Sequence, residues 1–297
     1  MKKYEFTGET KQVGILGNIT LKRIRATMEF GFVKIGDLGG WIEKEENLSH
    51  EGNAWVYGNA EVYGNAKVWG DAKVYGNAKV WGDAKVYGNA KVYGNAKVCG
   101  NAEVYDNAKV YGNAKVCGDA KVWGDAEVYD NAKVYGDAKV YGNAEVYGDA
   151  WVYGNAEVYG DAWVYGNAKV CGNAEVWGDA KVSGDAKVSG DAKVSGDAKV
   201  YDNAKVYGDA KVYGNAEVFS ISHVLVIGPI GSRNDFTTFF RDKDSEITVK
   251  CGCFIGKIDK FLEKVCETHG DSKYAIVYRS AAEIAKQQID LSEKKQL

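Results

Sequence analysis

Residues 70–87 read GDAKVY GNAKVW GDAKVY, three copies of a hexad that runs from Gly52 to Phe219 without one insertion. Twenty-eight consecutive hexads fill that stretch, and nearly every copy is Gly-(Asn/Asp)-Ala-x-Val-(Tyr/Trp). A fixed short period of this kind marks a solenoid, in which each repeat buries its apolar face only by stacking on its neighbours. Within a hexad, Ala and Val alternate with Lys or Glu and with Tyr or Trp, so the small apolar pair faces inward and the other pair outward. The Gly-Asn or Gly-Asp pair supplies a corner, because these residues tolerate the left-handed backbone region. Three strand-and-corner edges close a triangular prism of 18 residues per coil. At about 4.8 Å per stacked strand, slightly more than nine coils make a rod of roughly 45 Å.

Wrapping the sequence at that period predicts three outer faces. One stacks Tyr57, Tyr75, Tyr93, Tyr111 and their successors to Phe219; a second carries Tyr63, Trp81, Cys99 and Cys117; a third runs through Trp69, Tyr87, Tyr105 and Trp123. Aromatic ladders of this kind hold parallel strands together, each pair adding about 0.2–1 kcal/mol. A slip by a whole hexad would bury nearly the same atoms, so the ends must fix the register.

The departures from the hexad are few. Ser183, Ser189 and Ser195 take the aromatic position on all three faces of one coil, read as duplication of Gly-Asp-Ala-Lys-Val-Ser in preference to a docking notch. Trp55, Trp151 and Trp163 replace the outward Lys or Glu and are expected as packed surface aromatics or partner contacts. Asp106, Asp130 and Asp202 replace the corner Gly, which Asp does at modest cost. Cys99 and Cys117 are stacked neighbours within disulfide reach, but parallel outward Cβ directions and the lack of a secretory signal favour free thiols.

A net charge of −3 and a pI near 5.8 give no basic footprint for nucleic acid. No apolar run approaches the roughly 18 residues of a membrane span, and the expected location is cytoplasmic. Residues 1–51 form an aperiodic N-terminal cap with short strands at Ile19–Ile24 and Phe30–Ile35, expected to cover the open ladder edge. Residues 220–297 change to an α/β pattern. Strands are expected at Val224–Ile227, Phe236–Arg241 and Ile247–Phe254, and helices at Lys257–Thr268 and Tyr274–Ile289.

Ala two residues before a buried Val is the inner pattern of the hexapeptide-repeat family, and residues 52–219 resemble the left-handed parallel β-helix of the hexapeptide acyltransferases and their non-catalytic relatives. Here Gly stands two residues after Val, where that family often has it one after. Gly36–Ser49, GDLGGWIEKEENLS, resembles the lead-in of a hexapeptide-repeat group common in bacteria and their phages, whose members are often labelled acyltransferases. The C-terminal module resembles a tail domain of phage and prophage proteins. The resemblance implies a left-handed coil, a homo-oligomer (a trimer), and, in the family's enzymes, acyl transfer from a coenzyme A thioester with a histidine general base between subunits.

The repeat contains no histidine and no looped insertion, which argues against a site within it. An enzyme would have to use His50 or His223, at the two ends of the repeat, and His269 lies further on. Gly228, Gly231, Ser232, Arg233, Asn234 and Asp235 form a loop whose amides and guanidinium are candidates to hold an anion, although a plain turn between strands explains it more simply. Cys251-x-Cys253 has too short a spacing for an ordinary zinc pair, and with Cys266 and His269 it reads as buried thiols. No metal site is expected. The leading expectation is a non-enzymatic β-helical scaffold presenting a C-terminal module that binds a small anionic ligand or a protein partner. The alternatives are an acyltransferase using acyl-CoA and a sponge for a nucleotide signal.

Overall fold

The computed structural model describes residues 2–14 and 16–292. Two compact units make up the chain, Met1–Asn155 and Ala156–Leu297, and the division falls inside the repeat.

In the first unit each hexad contributes a strand of two to four residues, such as Lys73–Val74 or Lys97–Gly100. The strands pair in parallel with the residue 18 positions on, as in Lys91 with Lys109, Lys79 with Lys97 and Lys85 with Glu103, one pair from each of three ladders. Every hexad Ala and Val is buried, each Val contributing about 1.5–3 kcal/mol by leaving water. The corner favours glycine: Gly70 has φ +70°, and a methyl group there would lie 3.1 Å from the backbone nitrogen of Gly88 in the next coil. Asp106, Asp130 and Asp202 adopt φ of 57°, 55° and 52°, the left-handed conformation expected of them.

The outer rings stack as the 18-residue wrap predicts. Tyr75, Tyr93, Tyr111 and Tyr129 follow one another at 4.7, 4.8 and 4.9 Å between ring centres, with nearly parallel planes. The corner amides form a second ladder that the sequence reading did not foresee. Asn65 donates to Asp83 at 3.0 Å and Asn101 to Asp119 at 2.7 Å, so these corner acids are coil-to-coil acceptors.

The cap comprises β1 (Tyr4–Val13), β2 (Ile19–Ala26) and β3 (Leu38–Ile42), antiparallel to one another. β3 then pairs in parallel with the hexad strand Glu61–Val62. Phe30–Ile35 is not a strand; Phe30 and Val33 exchange the two hydrogen bonds of a tight turn instead. Trp55 is not a surface ring: it is fully buried, with Tyr4 at 6.1 Å and Phe30 at 5.3 Å, because the cap folds over the first coil. Cys99 and Cys117 are joined in a disulfide, contrary to the expectation of free thiols. Their strands are paired in register with Cα atoms 4.6 Å apart, so the side chains need only turn toward each other across the ladder.

In the second unit the parallel pairs include Lys181 with Lys199, Lys187 with Lys205 and Lys193 with Lys211. The C-terminal module is an antiparallel sheet of β4 (Val224–Ile230), β5 (Asp235–Arg241), β6 (Ile247–Cys251) and β7 (Phe254–Lys257), followed by α1 (Ile258–His269) and α2 (Lys273–Gln288). Ile247–Phe254 is therefore two strands of a hairpin that turns at Gly252, which has φ +54°. Phe239 and Val249 from the sheet, Phe261 and Val265 from α1, and Ala282 from α2 meet in one core. No helix among the described residues is long and apolar enough to cross a membrane.

The ladders leave unpaired backbone groups at both ends. Along the coils the strand-flanking amides donate to the next coil, as Lys67 does to Ala84 (2.9 Å) and Lys193 to Ala210 (2.8 Å). The groups left over on the first and last coils must find partners. At the first coil the partners are donors. Lys3 Nζ reaches Ala54 O at 2.8 Å, Asn47 Nδ2 reaches Ala66 O at 2.8 Å, and the Trp41, Glu43 and Ser49 amides take Ala60, Val62 and Val68. At the last coil both kinds occur: Thr238 Oγ1 takes the Lys211 N–H at 2.9 Å and His223 Nδ1 takes the Phe219 N–H at 3.3 Å, while Lys243 N donates to Asn215 O at 3.1 Å and Arg241 Nη1 to Glu217 O at 3.3 Å.

Candidate functional site

The two histidines that flank the repeat are built into these ends. His223 is fully buried, and its ring meets Phe219 edge-on at 4.3 Å. His50 stacks on Tyr4 at 4.4 Å, and its Nδ1 accepts the Lys3 N–H at 3.1 Å. Burial lowers the pKa of His50, outweighing the opposing pull of Glu45, so the neutral ring is favoured. A neutral imidazole that accepts at Nδ1 carries its proton on Nε2 and has no second basic nitrogen to offer. Each histidine is thereby placed as a structural acceptor within its own chain.

The C-terminal module holds a cleft of about 460 Å³ where two hairpin turns meet the helices. The first turn, between β4 and β5, closes at the Ile230–Asp235 pair, with Gly231 at φ +73° and Asn234 at φ +51°. The second is the Gly252–Cys253 turn between β6 and β7. Arg233 bridges them, its Nη1 lying 3.7 Å from Cys253 Sγ. Phe254, Phe261 and Val265 form an apolar floor, Tyr278 closes the back, and Lys264 and His269 on α1 complete the rim.

Charge around this rim is uneven. Arg233, Lys264 and His269 line the cleft and Asp235 is the one carboxylate in its lining, while Lys264 Nζ is paired with Glu267 on α1 at 2.9 Å. Asp235 Oδ1 accepts the Phe236 N–H at 2.7 Å and Oδ2 lies 3.9 Å from Lys211, which partly balances its charge. Burial raises the pKa of the Tyr278 phenol, reinforced by Cys251, and keeps it a neutral hydroxyl. The arrangement offers a cationic edge over an apolar aromatic floor, suited to a small molecule with an anionic group and a flat or apolar body.

Of the loop residues picked out in the sequence, Ser232, Arg233 and Asp235 line the cleft. Gly228, Gly231 and Asn234 do not, and shape the hairpin instead. A methyl group on Gly228 would lie 2.7 Å from Phe236 Cα, and one on Gly231 would lie 1.9 Å from Tyr278 Oη. Lys264, Tyr278 and Phe254 were not foreseen; helical spacing placed Phe261 and Val265 on the core face and gave no reason to join α1 to the loop. Cys251 and Cys253 also face the cleft, while Cys253 and Cys266 are exposed rather than buried. Among the described residues no group of three or more His, Cys, Asp or Glu is placed to hold a metal ion.

No protein-family model matches the chain. It is similar to an Escherichia coli K12 protein named "Uncharacterized acetyltransferase YdcK", at 37% identity over 62 residues. That match spans 19% of this chain and 19% of the relative, so it bears on a segment and not on either whole protein. Together with the 18-residue coil, this partial likeness fits a hexapeptide-repeat origin for the solenoid.

Proposed function

We propose that this chain is a β-solenoid scaffold whose C-terminal module binds a small anionic ligand with a flat or apolar body. The observation that carries the reading is the cleft beside Arg233, where the cationic rim and aromatic floor come from separate elements of the α/β module. The solenoid contributes rigidity and spacing, and copies associate as a homo-oligomer through its outer faces. The two histidines nearest the repeat serve as edge acceptors and leave the scaffold without an internal general base. A thermal-shift panel of aromatic carboxylates, nucleoside monophosphates and coenzyme A tests the reading. Stabilisation that Arg233→Ala removes supports it, and a panel without any shift contradicts it.

One observation favours a second reading, acyl transfer: the partial likeness to a protein named an acetyltransferase. A coenzyme A thioester would then be a substrate, held between copies of the chain. Release of free thiol from acetyl-CoA in the presence of hydroxyl or amine acceptors, lost in His50→Ala or His223→Ala variants that keep their fold, would favour it over the scaffold.

A further inference from the structure

The serine coil interrupts the aromatic ladders, and its three positions differ in what surrounds them. On the third face Ser195 falls between Trp177 and Tyr213, whose rings lean together over it to 5.7 Å at 65° and close the gap. On the second face Ser189 falls between Cys171, a small buried residue, and Tyr207, which is 42% exposed. Ser183 falls between Tyr165 and Tyr201, and there a cleft of about 340 Å³ remains, lined also by Lys181 and Lys199.

The backbone ladder runs through this point without a break, Tyr165 N donating to Val182 O and Ser183 N to Val200 O, both at 2.9 Å. Tyr165 and Tyr201 are thus two coil steps apart, about 9.6 Å at the usual strand spacing. A planar ring between two others needs about 3.5–4 Å on each side, or roughly 7–8 Å in total. At the backbone, this spacing matches the one ring that the serine omits, and Ser183 at its base is 9% exposed. Tyr201 is held from its other side by Phe219, at 5.3 Å, which in turn has Arg241 4.8 Å from its ring centre.

Charge is arranged at the slot's edge. Lys181 and Lys199 are a directly paired couple, and both line it. Lys181 Nζ lies over Trp163 at 4.1 Å, while Lys199 is exposed. The nearest carboxylate in register, Glu217 beside Lys199, is 3.7 Å from Arg241 and also bears on the Tyr201 phenol, whose pKa burial and Glu217 raise.

We infer that the Tyr165–Ser183–Tyr201 slot is a binding site for a planar aromatic ring bearing an anionic group, the ring completing the stack and the anion meeting Lys199. This site is separate from the Arg233 cleft and does not depend on it. The test is calorimetric titration of the full chain carrying Arg233→Ala, so that the separate cleft does not contribute, with 4-nitrobenzoate, and with cyclohexanecarboxylate as a non-planar acid of similar size. The flat acid should bind at a Kd on the order of 1 mM or below, and the puckered one about tenfold more weakly or not at all. In that background Ser183→Tyr, which supplies the missing ring, should abolish binding, Lys199→Gln should weaken it about tenfold, and Ser183→Ala should leave it unchanged. If Ser183→Tyr does not fold, Lys199→Gln and Ser183→Ala still decide. Absence of binding, equal affinity for the two acids, or unchanged affinity in Lys199→Gln or in folded Ser183→Tyr overturns the inference.

Discussion

The phenol of Tyr278 on α2 lies directly against the backbone of Gly231, leaving no room for a single methyl group between the β4–β5 turn and the helix. This contact ties the loop that carries Arg233 to the module's core. Gly231→Ala should cost about 1–3 kcal/mol, from overpacking and from a left-handed φ that Ala disfavours. Thermal unfolding with near-ultraviolet circular dichroism would record the loss, and ligand affinity at the cleft should fall with it.

His223 gives a second prediction, through its place at the edge of the last coil. His223→Ala leaves the Phe219 N–H buried without its acceptor, which should cost about 1–3 kcal/mol. Hydrogen exchange at the Phe219 amide should accelerate, while ligand binding at the Arg233 cleft should persist as long as the module stays folded.

His50 makes the N-terminal cap sensitive to acid. Its pKa is lowered in the folded chain by burial, so the unfolded chain takes up the proton first as pH falls. The stability that neutral His50 contributes is complete above the unfolded value of about 6.5 and is lost as pH drops through the lower folded value. Denaturant midpoints read from cap fluorescence should decline between about pH 7 and pH 5, and His50→Gln should flatten that decline.

Asp242 anchors the module's sheet from a fully buried position. Burial pushes its pKa up, but Lys257 at 2.6 Å, Thr248 at 2.7 Å and the Asp244 and Glu246 amides pull harder, and the net shift is downward. Asp242→Asn should cost about 3 kcal/mol at neutral pH, since it strands the buried end of that network. The wild-type advantage is present above the unfolded carboxylate value of about 4 and disappears as pH falls through the depressed folded value.

The solenoid was legible because one hexad fixes inward Ala and Val, outward rings and a glycine corner, and repetition removes ambiguity. β1 was not legible: Tyr4–Val13 is polar on both faces because much of it is exposed, so it lacks the alternation of a half-buried strand. The buried place of Trp55 and the link from Cys99 to Cys117 depend on how the cap covers one coil and how side chains turn across a ladder, neither of which follows from the period. Half of the candidate cleft could be read in the loop around Arg233. The other half, Lys264, His269 and Tyr278, lies 31 to 45 positions further along and reaches the loop only by tertiary packing.

The central claim, a scaffold with its binding site in the C-terminal module, is tested most directly by calorimetry of the full chain with adenosine 5′-monophosphate, an anion on a flat apolar body. The account predicts a binding event that is retained in Ser183→Tyr, where the solenoid slot is filled, and that in this background is lost on adding Arg233→Ala and weakened on adding Lys264→Ala. Binding that is indifferent to both cleft substitutions, or absent altogether, would contradict it.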